Sequence, residues 1–384
     1  MGLIVFLILL LGFLNPTNIV DGLVGVGVFL YVLWVVYKKK QVTGKTKTII
    51  IMLPILIAFL ASSFFNSFEL RQFLSINPEN GKYTHDMGLY LKTYYIMKEG
   101  VINYYQAHGQ AFLGHMVMKS LPHHVWGWRL PTVFYLWQLI PITNGVAIWW
   151  LFMCFSLLTL MAVYEICRMW LPKAKSHLAI LSPYLFFPYL HFAVRDWTML
   201  QVEWWAIMSL IGGIYFYLKK QKLWAVGLFC LSLMIRELIL IPFLILVGLA
   251  FIYKRKELKY FLIPVVVFLV FLLLHTFGIS KQVELVGGAA KYAPNLHGKG
   301  KQLLMTTLAF GSWEYLLYNF RVFSIMMVLA VVGYVKRISW KKTIVVAGFI
   351  FPLSFLVIGT SEWNHVWGVL YMPFIFLGVT WLLE

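Results

Sequence analysis

Residues 47–65 read KTIIIMLPILIAFLASSFF, an apolar run of the length that crosses a lipid bilayer as one helix. Similar runs recur along the chain of 384 residues, of which 61% are hydrophobic. The mean hydropathy is +0.81, more than a soluble core of this size requires. These properties exclude a soluble globular protein and predict an all-α protein embedded in a membrane.

The net charge of +18 follows the same plan. Lys and Arg fall in short clusters between the apolar runs, as the positive-inside rule expects of cytoplasmic loops, so the charge does not indicate nucleic acid as a partner. The five strongest clusters are Lys38–Lys40 with Lys45 and Lys47, Arg168 with Lys173 and Lys175, Lys219–Lys220 with Lys222, Lys254–Lys256 with Lys259, and Lys336–Arg337 with Lys341 and Lys342.

Placing all five clusters in the cytoplasm requires an even number of crossings between neighbours, and the apolar runs supply it. The runs are 19–37, 47–65, 142–166, 177–194, 197–218, 259–277, 315–335, 343–358 and 366–383, with a marginal one at 2–14. The segment between Lys222 and Lys254 is too short for two spans of about 20 residues each. We therefore expect a hairpin there, with Arg236-Glu237 at its tip within the outer half of the membrane.

The predicted architecture is a polytopic transmembrane helical bundle of about 11–13 spans. We expect re-entrant or interfacial helices at 110–140, where histidines interrupt the apolar pattern. The chain is interpreted as one membrane domain, 1–384, with an extra N-terminal helical hairpin at 1–46, a first extracytoplasmic loop at 66–130 and a later one at 278–314. Cys154, Cys167 and Cys230 lack the spacing of metal ligands and indicate no disulfide framework.

The first extracytoplasmic loop contains the clearest functional candidate, in the stretch NPENGKYTHDMGLYLKTYYIMKEG at 77–100. Helical spacing of its apolar residues predicts an amphipathic helix on the bilayer surface. These residues are Met87, Tyr90, Leu91, Tyr94 and Met97. Asp86 precedes them, so it is either an N-cap of the helix or a catalytic carboxylate, and the two roles are compatible.

Two charged dipeptides interrupt apolar sequence. Arg195-Asp196 lies between two runs with almost no loop, and a charge near membrane depth costs about 2.5–3.5 kcal/mol on insertion scales. The pair is either self-neutralising or matched to a ligand. For Arg236 the alternatives are pairing with Glu237 and contact with a phosphate, which the planar guanidinium suits.

Two further regions carry outward polar residues. In the basic loop 278–301, Lys281 meets either an anionic ligand or lipid headgroups. The last outward turn contains Glu362 and His365 beside tryptophans that an aromatic belt explains.

This inventory suits a donor with a lipid tail and an anionic head, such as a polyprenyl-phosphate-linked sugar. Asp86 would act as general base on an acceptor hydroxyl, and fixed positive charge would stabilise the departing lipid phosphate. A single base attacking opposite the leaving group predicts inversion at the anomeric carbon. The candidates for phosphate binding are Arg195, Arg236 and Lys281, and those for acceptor contact or support are His85, Tyr90, Glu237, Glu362 and His365.

Four motifs in this order resemble the GT-C superfamily of integral-membrane glycosyltransferases, including protein O-mannosyltransferase-like and aminoarabinose-transferase-like enzymes. They are HDMGLYLKTYYIMKEG at 85–100, RLP at 129–131, RDW at 195–197 and MIRELILIP at 234–242, within residues 47–255. The resemblance implies a hexosyl- or pentosyltransferase with Asp86 as base, Asp196 as a second catalytic acid and Arg236 near the lipid phosphate. Many members carry two adjacent acids where this chain has His85-Asp86, so a requirement for Mg²⁺ or Mn²⁺ stays open.

The expected partners are a polyprenyl-phosphate-linked sugar, a glycan, lipid or protein acceptor, and membrane lipids, with no nucleic acid. The expected location is the plasma membrane of a prokaryote or the ER membrane, with the active site on the extracytoplasmic or lumenal side. One alternative is an O-antigen ligase or polymerase type of enzyme, which uses lipid-diphosphate glycans and relies on outward arginines and a histidine. Another is a transporter or flippase of lipid-linked sugars. A membrane acyltransferase using His85 and Asp86 matches least well.

Overall fold

The computed structural model describes residues 19–38, 45–253, 255–292, 299–311, 324–336, 351–358 and 362–382. Within these ranges every regular element is a helix, and one isolated β-bridge joins His124 to Lys291. The all-α class is therefore confirmed. The predicted run 2–14 and the part of 343–358 before Phe351 lie outside the described residues.

The α-helices are numbered here in chain order. They are α1 Ile19–Tyr37, α2 Lys45–Asn66, α3 Phe68–Ser75, α4 Asp86–Lys98, α5 Tyr104–Leu113, α6 Thr132–Gln138, α7 Val146–Trp170, α8 Leu181–Arg195, α9 Val202–Leu218, α10 Lys222–Ile235, α11 Leu240–Tyr253, α12 Leu258–Leu285, α13 Gly300–Gly311, α14 Ser324–Val335, α15 Phe355–Ile358 and α16 Met372–Leu382. Short 3-10 segments lie at Val125–Gly127, Lys173–Ile180, Thr198–Leu200, Glu237–Ile239, Arg255–Glu257, Phe351–Ser354 and Glu362–Leu370.

Four helical segments in the described ranges are long and apolar enough to cross a membrane. They are Thr48–Asn66, Val146–Trp170, Lys173–Arg195 and Arg255–Leu285. Each overlaps a run predicted from sequence. The predicted run 197–218 is shorter as a helix, because Trp197 adopts a left-handed conformation with φ of 63° and α9 begins only at Val202.

The predicted hairpin between Lys222 and Lys254 is present as two shorter helices. Helix α10 ends at Ile235, Arg236 has an extended backbone, and a 3-10 turn leads into α11. The break between the two helices therefore falls at Arg236 and Glu237, the charged residues that the sequence predicted at the tip of the hairpin. This break brings Arg236 into the protein interior, where its side chain is almost fully buried.

The spans differ in how much of their surface other helices cover. The most apolar window of Lys173–Arg195 is 94% buried, whereas that of Arg255–Leu285 is 28% buried. Helix α8 is thus central, packed against α1, α2, α7 and α16, and α12 lies at the periphery. The outer face of α12 carries the exposed apolar residues Leu269, Val270, Leu273, Leu274 and Phe277, a surface suited to lipid tails.

The apolar side of the helix after Asp86, predicted to face lipid, packs against protein instead. Helix α4 forms where expected, but Leu91 and Tyr94 are fully buried and its neighbours α5 and α6 cover it. Gly88 permits part of this packing, because a Cβ atom there would lie 2.7 Å from Cβ of Tyr83. Apolar spacing alone did not distinguish a protein neighbour from a lipid one.

Between α5 and α7 the chain forms only short helices, and none of them is long enough to cross a membrane. The 3-10 turn Val125–Gly127 is followed by Trp128 in an extended conformation, with φ of −94° and ψ of 138°. Successive side chains of an extended chain point to opposite sides. Residues 128–130, here called the partition segment, therefore point their side chains to two opposite sides of the segment.

Candidate functional site

Asp86 is the first residue of α4, and His85 occupies the N-cap position without a side-chain cap bond. The interpretation of Asp86 as an N-cap is therefore wrong. Its Oδ2 atom accepts a 3.4 Å hydrogen bond from the Tyr90 hydroxyl and lies 3.5 Å from Nη2 of Arg129. The side chain is 41% exposed, so the carboxylate is held at one oxygen and still reachable.

Tyr90 and Arg129 form the support of this carboxylate. Tyr90 lies one helical turn after Asp86 and is buried. Arg129 Nε donates a 2.6 Å hydrogen bond to the Tyr90 hydroxyl, and Arg129 reaches the site because it lies in the partition segment. Burial raises the pKa of Tyr90 above its usual value, which keeps the hydroxyl protonated.

Arg129 is also the electrostatic link to a second group of charges. Burial by itself would lower the pKa of its guanidinium, but the neighbouring Tyr90, Asp86, Glu203 and Glu237 outweigh burial and raise that pKa well above its ordinary value. Arg129 therefore stays charged. Glu203 and Glu237, from other helical segments, lie close enough to help stabilise this charge.

Those glutamates bracket Arg236. Its Nε lies 3.0 Å from Oε1 of Glu203, in the first turn of α9, and its Nη1 donates a 2.8 Å hydrogen bond to Oε1 of Glu237. The Trp367 ring centroid lies 5.1 Å from the guanidinium carbon. The Nε contact lacks hydrogen-bond geometry, and both Nη2 of Arg236 and Oε2 of Glu203 are buried without a hydrogen-bond partner in the described part of the chain.

We call Asp86, Arg129, Glu203, Arg236 and Glu237 the acid–arginine cluster. Three carboxylates against two guanidiniums leave one excess negative charge when all are ionised. Arg236 was predicted to contact the donor phosphate, but its side chain is 2% exposed and already has two carboxylate partners. Arg129, at 20% exposure, is the more accessible guanidinium.

A small pocket adjoins the cluster, with about 280 Å³ of empty space that includes open solvent and enclosed room for about one water molecule. Val125, Trp126, Trp128 and Leu130 line one wall, Leu272, His275 and Thr276 of α12 line the other, and Glu237 belongs to both pocket and cluster. The partition segment lies between this pocket and the acid–arginine cluster. Trp128 and Leu130 face the pocket, whereas Arg129 reaches Tyr90 and Asp86.

His275 is a polar residue in the α12 wall of the pocket. It is buried, and its Nδ1 lies 3.1 Å from the hydroxyl of Tyr105. Sequence reasoning missed His275 and also left Glu203 and Arg129 without a role. A single histidine within an apolar span, or a glutamate one residue into such a helix, is the available signal, because ionisable groups are rare there.

The remaining predicted site residues do not join the cluster through any contact in the described ranges. Arg195 Nε pairs with Oδ2 of the adjacent Asp196 at 2.8 Å, as the self-neutralising alternative expected. Lys281 is exposed, with Nζ 4.5 Å from the Phe277 ring centroid, and His85 is exposed beside Asp86. The side chains of Glu362 and His365 lie outside the described residues.

No group of three or more His, Cys, Asp or Glu residues among the described side chains is arranged to hold one metal ion. In the acid–arginine cluster the guanidinium of Arg236 occupies the space between Glu203 and Glu237, where a cation would otherwise bind.

Comparison of the chain with family models, with curated proteins and with solved structures gave no match. The general class of this protein is therefore defined by its structure. The described chain is an all-helical protein with four helices that suit a membrane and a charged cluster beside a pocket.

Proposed function

We propose that this protein is a polytopic membrane glycosyltransferase of the GT-C type, acting at the extracytoplasmic or lumenal face. It transfers a hexosyl or pentosyl group from a polyprenyl-phosphate donor to the hydroxyl of a glycan, lipid or protein acceptor. The observation that carries the proposal is the Asp86, Tyr90 and Arg129 arrangement. An accessible carboxylate is fixed at a helix start by a buried hydroxyl and a charged guanidinium.

Asp86 is the general base. Tyr90 and Arg129 engage Oδ2, and Oδ1 has no hydrogen-bond partner among the described residues, so Oδ1 is available to an acceptor hydroxyl. As Asp86 takes the hydroxyl proton, the acceptor oxygen bonds to the anomeric carbon. The bond from that carbon to the phosphate oxygen breaks, and the lipid phosphate leaves with its electron pair. One displacement gives inversion.

Arg129 is the group assigned to the leaving phosphate. It is charged, partly exposed and adjacent to Asp86, whereas Arg236 is buried between two carboxylates. Removing one preorganised contact to developing charge typically costs about 2.7–4 kcal/mol in catalysis. Arg236 instead positions Glu237 and joins the end of α10 to the start of α9.

The deciding experiment is Asp86→Asn, assayed in membranes supplied with polyprenyl-phosphate-linked sugars. The amide keeps the shape of the side chain and removes its basicity, so transfer should fall to background while yield and thermal stability stay near wild type. Glu99→Gln is the matched control, because Glu99 is an exposed carboxylate at the other end of α4. Transfer by Asp86→Asn at the wild-type rate would remove Asp86 from the mechanism.

One observation favours a second candidate. His275 faces the pocket near the cluster, and enzymes of the O-antigen ligase or polymerase type rely on outward arginines and a histidine. The donor separates the two candidates. Turnover of a lipid-diphosphate oligosaccharide, with none of a lipid-monophosphate monosaccharide, would select the ligase or polymerase.

A further inference from the structure

Two neighbouring turns at one end of the bundle carry most of their charge as Lys and Arg. The basic residues in or beside these turns are Lys219, Lys220 and Lys222 between α9 and α10, and Arg255, Lys256 and Lys259 between α11 and α12. Helix α10 packs against both α9 and α12. Lys222 Nζ lies 3.9 Å from Oε2 of Glu257, so the two turns meet at the same end of the bundle.

Most of this charge is not neutralised within the turns. Lys219 Nζ lies 3.0 Å from Oε2 of Glu165 on α7 and is paired there. The other five cations, here called the basic surface, are Lys220, Lys222, Arg255, Lys256 and Lys259. Glu257 is the one acidic residue of the two turns, so the basic surface keeps four excess positive charges when all groups are ionised.

Aromatic rings hold two of these lysines near each other. Lys222 Nζ lies 3.2 Å from the ring centroid of Tyr217 and 5.3 Å from that of Tyr260. Lys259 Nζ is also 5.3 Å from the Tyr260 centroid. Both ammonium groups are attracted to the same ring, which keeps two like charges close together. An anion bound between them would relieve their repulsion.

Exposed apolar side chains adjoin the basic surface. Leu223 and Trp224 follow Lys222 directly and are 83% and 66% exposed, and Ile252 and Tyr253 are exposed just before the second turn. Apolar side chains this open suit a lipid environment, and tryptophan and tyrosine favour the headgroup level of a bilayer. The basic surface therefore lies at headgroup depth, where lipid phosphates are the nearest anions.

We infer that the basic surface binds the phosphate headgroup of an anionic membrane lipid, with the acyl chains along Leu223, Trp224 and Ile252. A lipid of net negative charge is preferred to a zwitterionic one by about fivefold for each cation that it meets. The 14 residues of α10 place this site about 20 Å from Arg236 and the acid–arginine cluster. Lipid binding here is therefore independent of the proposed function.

The test uses the full chain in nanodiscs that contain phosphatidylglycerol and phosphatidylcholine in equal amounts. Photoreactive benzoylphenylalanine is incorporated at the position of Trp224, beside the basic surface, or of Leu158, an exposed residue in the middle of α7. After irradiation, mass spectrometry of the labelled peptide gives the ratio of the two lipids at each position. Phosphatidylglycerol should exceed phosphatidylcholine by at least about fivefold at Trp224 and equal it at Leu158.

Two double variants locate the binding. Lys256→Gln with Lys259→Gln removes two charges from the basic surface, so the lipid ratio at Trp224 should fall toward equality, by up to about 30-fold. Lys173→Gln with Lys175→Gln is the matched control, because it removes the same charge from exposed residues of a different turn. Its lipid ratio should equal that of the wild type.

Equal lipid ratios at Trp224 and Leu158 in the otherwise wild-type chain would overturn the inference, and this comparison needs no lysine variant to fold. An equal loss from both double variants would also overturn it, because the preference would then belong to the net charge of the protein. The proposed function fails separately. Asp86→Asn decides it through transfer activity and should leave the lipid ratio at Trp224 unchanged.

Discussion

Arg129 Nε donates a 2.6 Å hydrogen bond to the hydroxyl of Tyr90, and this contact joins the partition segment to α4. The same guanidinium reaches Asp86 at 3.5 Å, so the position of the carboxylate depends on a residue far from it in sequence.

Tyr90→Phe removes the hydroxyl and leaves the rest of the ring. Arg129 Nε then loses its acceptor, and Asp86 loses a donor. A hydrogen bond to a charged group contributes about 1.5–3 kcal/mol, so we expect transfer to fall by roughly 10- to 150-fold with only a small change in thermal stability. The measurement is initial rate in membranes beside a melting curve. Tyr215→Phe, on α9, is the control and should behave as wild type.

Arg129→Gln and Arg129→Lys separate charge from geometry. The glutamine variant loses both, so the activation free energy of transfer should rise by about 2.7–4 kcal/mol. The lysine variant keeps the charge without the planar fork, so it should retain part of the activity. Arg195→Gln and Lys281→Gln test the residues that sequence alone favoured for phosphate binding. A larger loss in either of them than in Arg129→Gln would contradict the assignment.

Arg236→Met should lower the folding stability of the protein, and not only its rate of transfer. The substitution leaves Glu203 buried without its ionic partner, and breaking a buried pair from one side typically costs about 3–5 kcal/mol. Fluorescence-detected gel filtration after heating measures the loss. The double variant Arg236→Met with Glu203→Gln should recover part of it. Arg195→Met is the matched control, since its exposed pair with Asp196 contributes about 0–1 kcal/mol.

His108 should make stability depend on pH. Burial, reinforced by the charges of Arg129 and His275, holds the pKa of His108 well below its ordinary value of 6.5. The folded protein keeps the ring neutral while the unfolded chain takes up a proton below pH 6.5. Stability is therefore fully present above that pH and is lost on acidification, by up to about 1.4 kcal/mol per pH unit for one proton.

The measurement is Tm between pH 7.5 and pH 5. His108→Gln should flatten the profile in this range, whereas His85→Gln, at an exposed position, should leave the wild-type slope. The Thr93 hydroxyl, 2.7 Å from Nδ1 of His108, can still bond to a glutamine. An unchanged slope in His108→Gln would assign the pH dependence to other groups.

Sequence alone located the apolar helices well, because a span needs a long apolar run and little else matches that pattern. Thr48–Asn66 differs from the predicted 47–65 by one residue at each end. The break at Arg236 was also predictable, since the segment around it is too short for two spans. The burial of α4 was not, because tyrosine and leucine suit protein and lipid neighbours alike.

The candidate site was predicted in part. Asp86, Tyr90, Arg236 and Glu237 were named from local sequence, and the structure brings them to one region through shared electrostatic partners. The partners themselves were not predictable. Arg129 meets Asp86, and Glu203 meets Arg236, only through the packing of helices that no local pattern specifies.

The partition segment has a consequence for how this protein can vary. A substitution at Trp128 or Leu130 acts first on the pocket, and a substitution at Arg129 acts first on the acid–arginine cluster. Deleting a single residue between Gly127 and Pro131 would instead exchange the two sets of side chains at once. Variants of this protein should therefore tolerate new residue types in the partition segment far more readily than a change in its length.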